Sequence, residues 1–182
     1  MIFQFEGAFS NNRTDIIGRK VLVFQFQKYF PLFNNSLKCK QALAHLMESI
    51  DREAYDFQNA DLGWTAIADN SNTDAVFNTD LDFYFFFLNV IQAYYPRGWK
   101  NVLCANVPYT MAPAANALFL GFDDQMKDRL VFVNYQQLKA YVPDNQIPQD
   151  IKDVTSTGLI LGNFLQARSI VNYLLSLLNL FG

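Results

Sequence analysis

Few side chains in this sequence could do chemistry, and they lie far apart along it. His45 is the only histidine, and because no partner stands near it, a solvated side chain is favoured over a ligand or a base. Cys39 and Cys104 lie on different predicted elements without a CxxC spacing, which is typical of small buried hydrophobes in a reducing compartment. Asp123 and Asp124 could act as acid and base, but neighbouring carboxylates in a turn are more typical of a solvated helix start. These residues predict neither a catalytic centre nor a metal site.

The sequence motifs of α/β enzymes are absent as well. There is no phosphate-binding GxxxxGK[ST], no GxGxxG after a strand, no GxSxG nucleophile turn and no paired histidine for a metal. We therefore expect a protein that is not an enzyme and that uses no cofactor. The net charge of -3 and the pI near 5.0 argue against binding to nucleic acid, which needs a patch of Lys and Arg. Local basic clusters at a membrane surface remain compatible with this charge.

The elements that would position a site are organised around a strongly apolar helix, predicted from residue 81 to about residue 95. Asp80 and Asp82 suit its amino terminus, and Pro96 ends it because the residue before a proline avoids the α region. One narrow stripe holds its polar residues, which are Asp82, Asn89 and Gln92. Since a surface helix needs an apolar arc of only about 100°, this helix should be covered on two sides. One cover would be a sheet, and the other either a second helix or an internal ligand cavity.

Strands and helices are predicted to alternate along the rest of the chain. Residues 1–20 read as a short alternating run and then a polar, turn-rich stretch, before the first clear strand at 20–27. The predicted elements that follow are a helix from 35 or 36 to about 52, a weak strand within 54–62, a loop over 63–74, the central helix, strands at 101–109 and 129–133, and a short helix at 136–142. This order predicts an α/β fold with a mostly parallel sheet of about four to five strands and right-handed crossover helices.

Several short runs, in a fixed order, carry a resemblance to a known family. They are Gly18-Arg19-Lys20-Val21, Tyr94-Tyr95-Pro96, Trp99-Lys100-Asn101-Val102, Asn106-Val107-Pro108-Tyr109, Leu130-Val131-Phe132-Val133, and Leu138, Tyr141 and Ile147-Pro148. Together these runs resemble the CRAL-TRIO lipid-binding domain over about residues 15–148. Within that family, the chain looks similar to the lipid-binding half of motile sperm domain-containing proteins. The resemblance implies a CRAL-TRIO-like α/β fold, followed here by an apolar C-terminal helix.

The resemblance implies a protein that binds one lipid or other hydrophobic small molecule in an apolar pocket and transfers it between membranes or presents it there. In the family a short helix gates the pocket, and the resemblance maps this gate onto Ala112, Pro113, Ala114, Ala115, Asn116 and Ala117. Aromatic residues make up 16% of the chain, enough to line a pocket in addition to an ordinary core. The candidate lining residues are Phe24, Phe26, Phe83, Phe86, Phe87, Tyr109, Met111, Leu118, Phe119 and Phe122. The alternative is a protein-interaction or membrane-tethering module on the same fold with a closed pocket.

The predicted division of the chain is a lipid-binding domain at 1–150 and a helical tail at 151–182. Polar residues recur at three and four positions along one stripe of an otherwise apolar tail: Ser169, Asn172, Ser176 and Asn179. Arg168 would cost about 2.5 to 3.5 kcal/mol inside a bilayer, so packing on the domain, lying in a membrane interface and spanning all stay open. The tail could also bind a protein partner. Because residues 1–10 lack the pattern of a secretory signal, we expect a cytoplasmic protein, peripheral at or anchored to a membrane.

Overall fold

Five strands form one sheet, in the order in which they follow one another along the chain. The computed structural model of the protein describes residues 9–28, 36–56, 63–73, 80–95, 98–111 and 119–152. The strands are β1 (Phe9–Thr14), β2 (Lys20–Gln25), β3 (Trp64–Asp69), β4 (Trp99–Ala105) and β5 (Leu130–Val133). β1 pairs with β2 in the antiparallel sense, and all the other neighbours are parallel. The predicted α/β class and the mostly parallel sheet are therefore confirmed.

Helices lie against both faces of this sheet. One face is covered by α1 (Ser36–Asp56), α2 (Leu81–Tyr94) and α3 (Asp124–Arg129). The other face is covered by two shorter helices, α4 (Tyr135–Leu138) and α5 (Gln149–Lys152), and by the turns between them. In the part of the chain that the structure describes, no helix has both the length and the apolar character to cross a bilayer.

Two strands differ from the expectation drawn from the sequence. β1 lies in the stretch expected to be turn-rich, because pairing with β2 outweighs the weak strand propensity of its two asparagines. The prediction of a strand at 54–62 is wrong for residues 54–56, because they form the end of α1. Residues 57–62 lie outside the described residues. The strand is instead β3, in the stretch expected to be a loop. All six of its residues are buried, as a parallel strand with helices on both faces requires.

The central helix α2 begins where the sequence indicates. The Asp80 carboxylate accepts a hydrogen bond of 3.0 Å from the N–H of Phe83 and so caps the first turn. The expected polar stripe faces outwards at Asp82 and Asn89, which are both exposed. The opposite side of the helix is buried against the sheet through Phe83 and Ile91. Local capping and the apolar arc together explain both the position and the orientation of α2.

Alternation along the strands divides the buried interior into two clusters. On β2, Leu22 and Phe24 face the side of α1 and α2, whereas Val21 and Val23 face the side of α4 and α5. A shift in register between β3 and β4 brings Trp99 to the first side. The aromatic cluster consists of Leu22, Phe24, Leu43, Met47, Trp64, Ala66, Phe83, Ile91, Trp99, Val102, Phe122 and Met126. The aliphatic cluster consists of Val21, Val23, Ile67, Leu103, Ala105, Val133, Leu138, Val142, Ile147 and Ile151.

Candidate functional site

The aromatic cluster holds a chain of ring contacts that runs across the sheet. The centroid of Phe24 lies 5.0 Å from that of Phe87 in an edge-to-face contact and 6.2 Å from that of Trp99. Trp99 in turn stacks on Trp64 at 5.5 Å and meets Phe87 edge-on at 6.2 Å. Rings at these separations attract one another by about 0.5–1.5 kcal/mol beyond the effect of buried area. Strands β2, β3 and β4 and helix α2 are therefore joined through aromatic side chains.

Six of the predicted lining residues come together in this cluster. Phe24, Phe83 and Phe122 are buried within it. Three others are only half-buried and pack against its border: Phe26, Phe86 and Phe87. Phe26 lies in the short 3-10 turn after β2 rather than on the strand itself, because β2 ends at Gln25. The three border rings keep apolar surface that the described part of the core does not cover.

The other predicted lining residues lie elsewhere or cannot be placed. Met111 is buried at the end of the 3-10 turn Tyr109–Met111, where its N–H donates to the Pro108 carbonyl. Phe119 is half-buried, and the Lys127 ammonium lies 5.9 Å from the centre of its ring. Only the backbone of Tyr109 is described, while Leu118 and the expected gate residues 112–117 lie outside the described residues.

Both tryptophans of the chain belong to the cluster, although the sequence analysis did not select them. Trp64 had been placed in a loop and Trp99 in a turn, whereas they begin β3 and β4 and are 2% and 0% exposed. The continuous apolar run that follows Trp64 is the signal that could have identified it as buried. Among the described residues, no hydrogen-bond acceptor reaches the buried indole Nε1 of Trp99. A buried donor without an acceptor costs about 1–3 kcal/mol.

The ends of the segment expected to form the gate are both attached to the domain. At one end Met111 is buried, and at the other end Phe122 is buried in the aromatic cluster. The backbone N–H of Asp123 donates to Oε1 of Gln92 on α2 at 2.6 Å, and the Asp123 carboxylate accepts from the Met126 N–H to cap α3. Just before this attachment, the side chain of Leu120 is 75% exposed. The segment therefore starts after β4 and returns to the domain beside α2.

The titratable groups of the described residues do not converge on a catalytic centre. His45 is exposed on α1, and burial raises the pKa of the Cys104 thiol to about 12, so that the thiol stays protonated at neutral pH. Within the part of the chain described by the structure, no group of three His, Cys, Asp or Glu side chains could hold a metal ion.

A buried carboxylate lies at the carboxyl end of β3, on the side of the aliphatic cluster. Oδ1 of Asp69 accepts from the Ser71 N–H at 2.9 Å, whereas no donor of the described residues reaches Oδ2 in hydrogen-bond geometry. Burial raises the pKa of Asp69, and the nearby side chains of Ser71 and Gln25 lower it by less. Open α/β sheets often bind ligands at this edge. Here the edge is covered by α5, because Asn106 donates from Nδ2 to the Ile151 carbonyl at 3.2 Å.

Comparisons with known proteins agree with this architecture. A family model described as the CRAL/TRIO domain matches residues 4–152, which is most of the chain. Among solved structures, the crystal structure of Sfh5 superposes with a TM-score of 0.65 at 15% sequence identity, a likeness of fold. That match covers 94% of this chain and 66% of the Sfh5 chain, so this chain spans just under two thirds of the length of that relative. No curated protein matches the sequence. The similarity to motile sperm domain-containing proteins stays a prediction.

Proposed function

Because the chain belongs to the CRAL/TRIO domain family, we propose that it binds a lipid or another hydrophobic small molecule on the aromatic face of its sheet, without catalysing a reaction. The observation that carries this proposal is the set of three half-buried rings at the border of the aromatic cluster: Phe26, Phe86 and Phe87. The proposal includes transfer of the guest between membranes, or its presentation there, by a cytoplasmic protein that is peripheral at membranes.

The physical reason is the free energy of burying apolar groups. Each methylene of an acyl chain that leaves water gains about 0.8 kcal/mol, so a protein site competes with a bilayer only if it offers apolar walls over many carbons. Phe24 and Phe83 supply buried ring surface between the sheet and α2, and the border rings extend that surface outwards. A guest lying along these rings would cover the part of them that water otherwise reaches.

The indole of Trp99 adds one polar feature to this apolar site. Its Nε1 is a hydrogen-bond donor only, and in the described part of the chain it is buried without an acceptor among the rings of Phe24, Phe87 and Trp64. Because Trp99 is 0% exposed, an ester carbonyl or a hydroxyl oxygen of the guest would accept this hydrogen bond, and remove the cost of the unpaired donor, once the surrounding rings move apart. The site is therefore better suited to a lipid that carries an oxygen acceptor near its chain than to a pure hydrocarbon.

We propose that the guest molecule enters the site through the expected gate at 112–117. This segment contains four alanines and no large side chain, so it buries little area and would detach from the domain at low cost. The attachments on its two sides, at Met111 and at Asp123, would serve as fixed ends for such a movement.

The second candidate function is a protein-interaction or membrane-tethering module whose pocket is closed. The observation that favours it is apolar surface outside the cluster, where Tyr94 is 77% exposed and Leu120 is 75% exposed. A partner protein or membrane that covers these two side chains would not require an internal guest. The C-terminal tail, residues 153–182, lies outside the described residues and could serve the same role.

Extraction and mass spectrometry of the purified protein separate the two functions. The lipid proposal predicts about one co-purified lipid per chain, and a large loss of that lipid in Phe87→Ala, which removes a border ring. The matched control is Phe85→Ala, because Phe85 lies on the same helix but is 38% exposed outside the cluster. A protein that co-purifies with no lipid, extracts no lipid from vesicles and transfers none between them would overturn the proposal.

A further inference from the structure

The turn between β1 and β2 presents two adjacent isoleucines to solvent. Ile16 is 59% exposed and Ile17 is 56% exposed. Isoleucine is among the residues most often found fully buried, so two adjacent exposed isoleucines in one turn indicate a surface that binds a partner. They are far in sequence from the gate and take no part in the aromatic cluster.

The turn is held rigidly by a buried aspartate. Oδ1 of Asp15, which is 5% exposed, accepts hydrogen bonds from the N–H groups of Ile17 and Arg19, both at 2.9 Å. Oδ2 of the same carboxylate accepts from the hydroxyl of Thr65 at 2.7 Å, and Gly18 takes the positive φ of +90° that closes the turn. The isoleucines therefore cannot fold back into the domain without breaking these bonds.

A further hydrogen bond ties the turn to the segment that follows α4. The N–H of Ile16 donates to the carbonyl of Tyr141 at 3.0 Å. The exposed pair is thus fixed both to its own hairpin and to the segment after α4. A surface that is already ordered loses little conformational freedom when it binds, which favours its use as a contact site.

Basic residues outnumber acidic ones in the stretch that contains the two isoleucines. Residues 13–20 contain three basic residues, Arg13, Arg19 and Lys20, against a single acidic one, Asp15. The Asp15 carboxylate is buried, and Nε of Arg19, whose side chain is 17% exposed, lies 3.9 Å from its Oδ2, so these two charges offset each other. Residues 13–20 carry a formal charge of +2, although the chain as a whole carries a net charge of -3.

We propose that the β1–β2 turn, residues 13–20, is a contact site for an anionic membrane surface. Ile16 and Ile17 enter the boundary between head groups and acyl chains, and Arg13 and Lys20, on the two strands that flank the turn, lie on the side of the lipid phosphates. A bilayer is favoured over a protein partner because an exposed apolar turn enters a fluid layer without a matching groove, and because the formal charge of +2 on residues 13–20 complements the negative surface of anionic lipids. This site goes beyond the lipid-binding proposal and holds even if the pocket is closed.

Flotation of the purified full chain with vesicles tests the site. One set of vesicles contains phosphatidylcholine alone, and in the other about a third of it is replaced by phosphatidylserine, which gives the surface its negative potential. The wild type is expected to bind the second set preferentially, and less so as salt is raised. The double change Ile16→Ser, Ile17→Ser should weaken this binding about tenfold, because the inserted apolar area is lost. Arg13→Gln should weaken it about fivefold on the anionic vesicles and leave binding to neutral vesicles unchanged.

The control variant is Leu37→Ser, which removes a similarly exposed apolar side chain, at 65% exposure, from the start of α1. It should bind vesicles like the wild type, and circular dichroism should show all variants folded. Equal vesicle binding by the wild type and the double isoleucine variant would overturn the proposal. Equal binding of the wild type to vesicles with and without phosphatidylserine would overturn it as well. Loss of self-association or of a protein partner in the double variant, with no vesicle binding by the wild type, would also overturn it. The co-purified lipid of the same samples reports separately on the pocket, so failure of either proposal leaves the other measurable.

Discussion

The two faces of the sheet differ in the side chains that cover them. On one face, the buried members of the aliphatic cluster are valine, leucine, isoleucine and alanine, and the half-buried side chains at its border are Val131, Tyr135 and Tyr141. On the other face, two tryptophans and three phenylalanines are buried, while Phe26, Phe86 and Phe87 remain half-buried at the border. The border rings of the aromatic face are phenylalanines without a polar group, so covering them with a guest gains free energy, whereas the border of the aliphatic face includes Tyr135, whose hydroxyl donates to Asp144.

The two faces also differ in the polar bonds at their edges. α5 is held over the aliphatic side by Gln25, which donates to the Asp150 carboxylate at 2.9 Å, and by Asn106, which donates to the Ile151 carbonyl. On the aromatic side, the Asp123 N–H donates to Gln92, and the Arg129 guanidinium donates to the Trp99 carbonyl at 2.8 Å. Since the chain after the expected gate returns to the aromatic cluster at Phe122, we expect movement that admits a ligand on the aromatic side. The following variants test whether stability and binding separate in this way.

The largest effect on stability is expected from the aliphatic cluster. Leu103→Ala removes a fully buried side chain at 0% exposure and should lower the free energy of unfolding by about 2–5 kcal/mol, measured by urea denaturation. The amount of lipid per folded chain should not change, because Leu103 faces away from the aromatic side. A loss of lipid as large as that in aromatic variants would show that the two faces do not act separately.

A smaller loss of stability with a larger loss of ligand is expected from the border of the aromatic cluster. Phe87→Ala removes a half-buried ring, so its cost should be about 2 kcal/mol, below the roughly 3–5 kcal/mol of a buried phenylalanine. Bound lipid, measured by mass spectrometry, should fall several-fold. If Phe87→Ala kept its lipid and lost as much stability as Leu103→Ala, the ring would be an ordinary core residue.

The bonds that hold α5 in place should have an effect of about 1–2 kcal/mol. Asn106→Ala removes the donor to Ser71 and to the Ile151 carbonyl, at 3.0 and 3.2 Å, and places a non-glycine residue at φ +52°. Hydrogen exchange of the α5 amides should become faster. Asn106→Gly is the matched control, since it relieves the backbone and loses the same bonds. Unchanged exchange in both variants would mean that the apolar contact of Ile151 alone holds the helix.

The smallest effect is expected from the pKa of Asp69 and depends on pH. Burial raises this pKa above the ordinary value of 3.8, so the folded state binds the proton more tightly than the unfolded state. Stability from this group is fully present below the unfolded pKa and is lost as the pH rises through the folded pKa. Asp69→Asn cannot ionise and still accepts from the Ser71 N–H, so it should be more stable than the wild type at neutral pH. Its advantage in thermal melting should shrink as the pH falls towards 3.8, and a pH-independent difference would contradict the assignment.

Local signals explain the parts of the fold that could be predicted from the sequence. Asp80 and Pro96 mark the ends of α2 through capping and through the restriction before proline, which depend on neighbouring residues alone. The period of the apolar residues placed Phe24 on β2 and Phe83 and Phe87 on the helix that covers it. These choices need no knowledge of distant contacts.

The parts that were missed depend on contacts between distant residues. β1 forms because Phe9–Thr14 pairs with β2, although its own residues favour a turn. β3 is buried on both faces and therefore lacks the alternation of apolar and polar residues that identifies a strand with one solvent-exposed face. Trp99 reaches the aromatic side through a register shift between β3 and β4, which no local pattern encodes. The sequence therefore selected the phenylalanines of the aromatic cluster and missed its tryptophans, and the binding role of both stays a prediction.

The most direct test of binding on the aromatic face uses the position of the two tryptophans, the only ones in the chain. Trp64 and Trp99 stack at 5.5 Å inside the aromatic cluster, so their fluorescence reports on this face alone. The protein is loaded with a phospholipid whose acyl chain carries bromine, which quenches indole fluorescence at short range. We predict strong quenching by the brominated lipid and none by its unbrominated counterpart, with the quenching lost in Phe87→Ala and kept in Phe85→Ala. Tryptophan fluorescence that stays constant while the brominated lipid is bound would contradict a guest on the aromatic face.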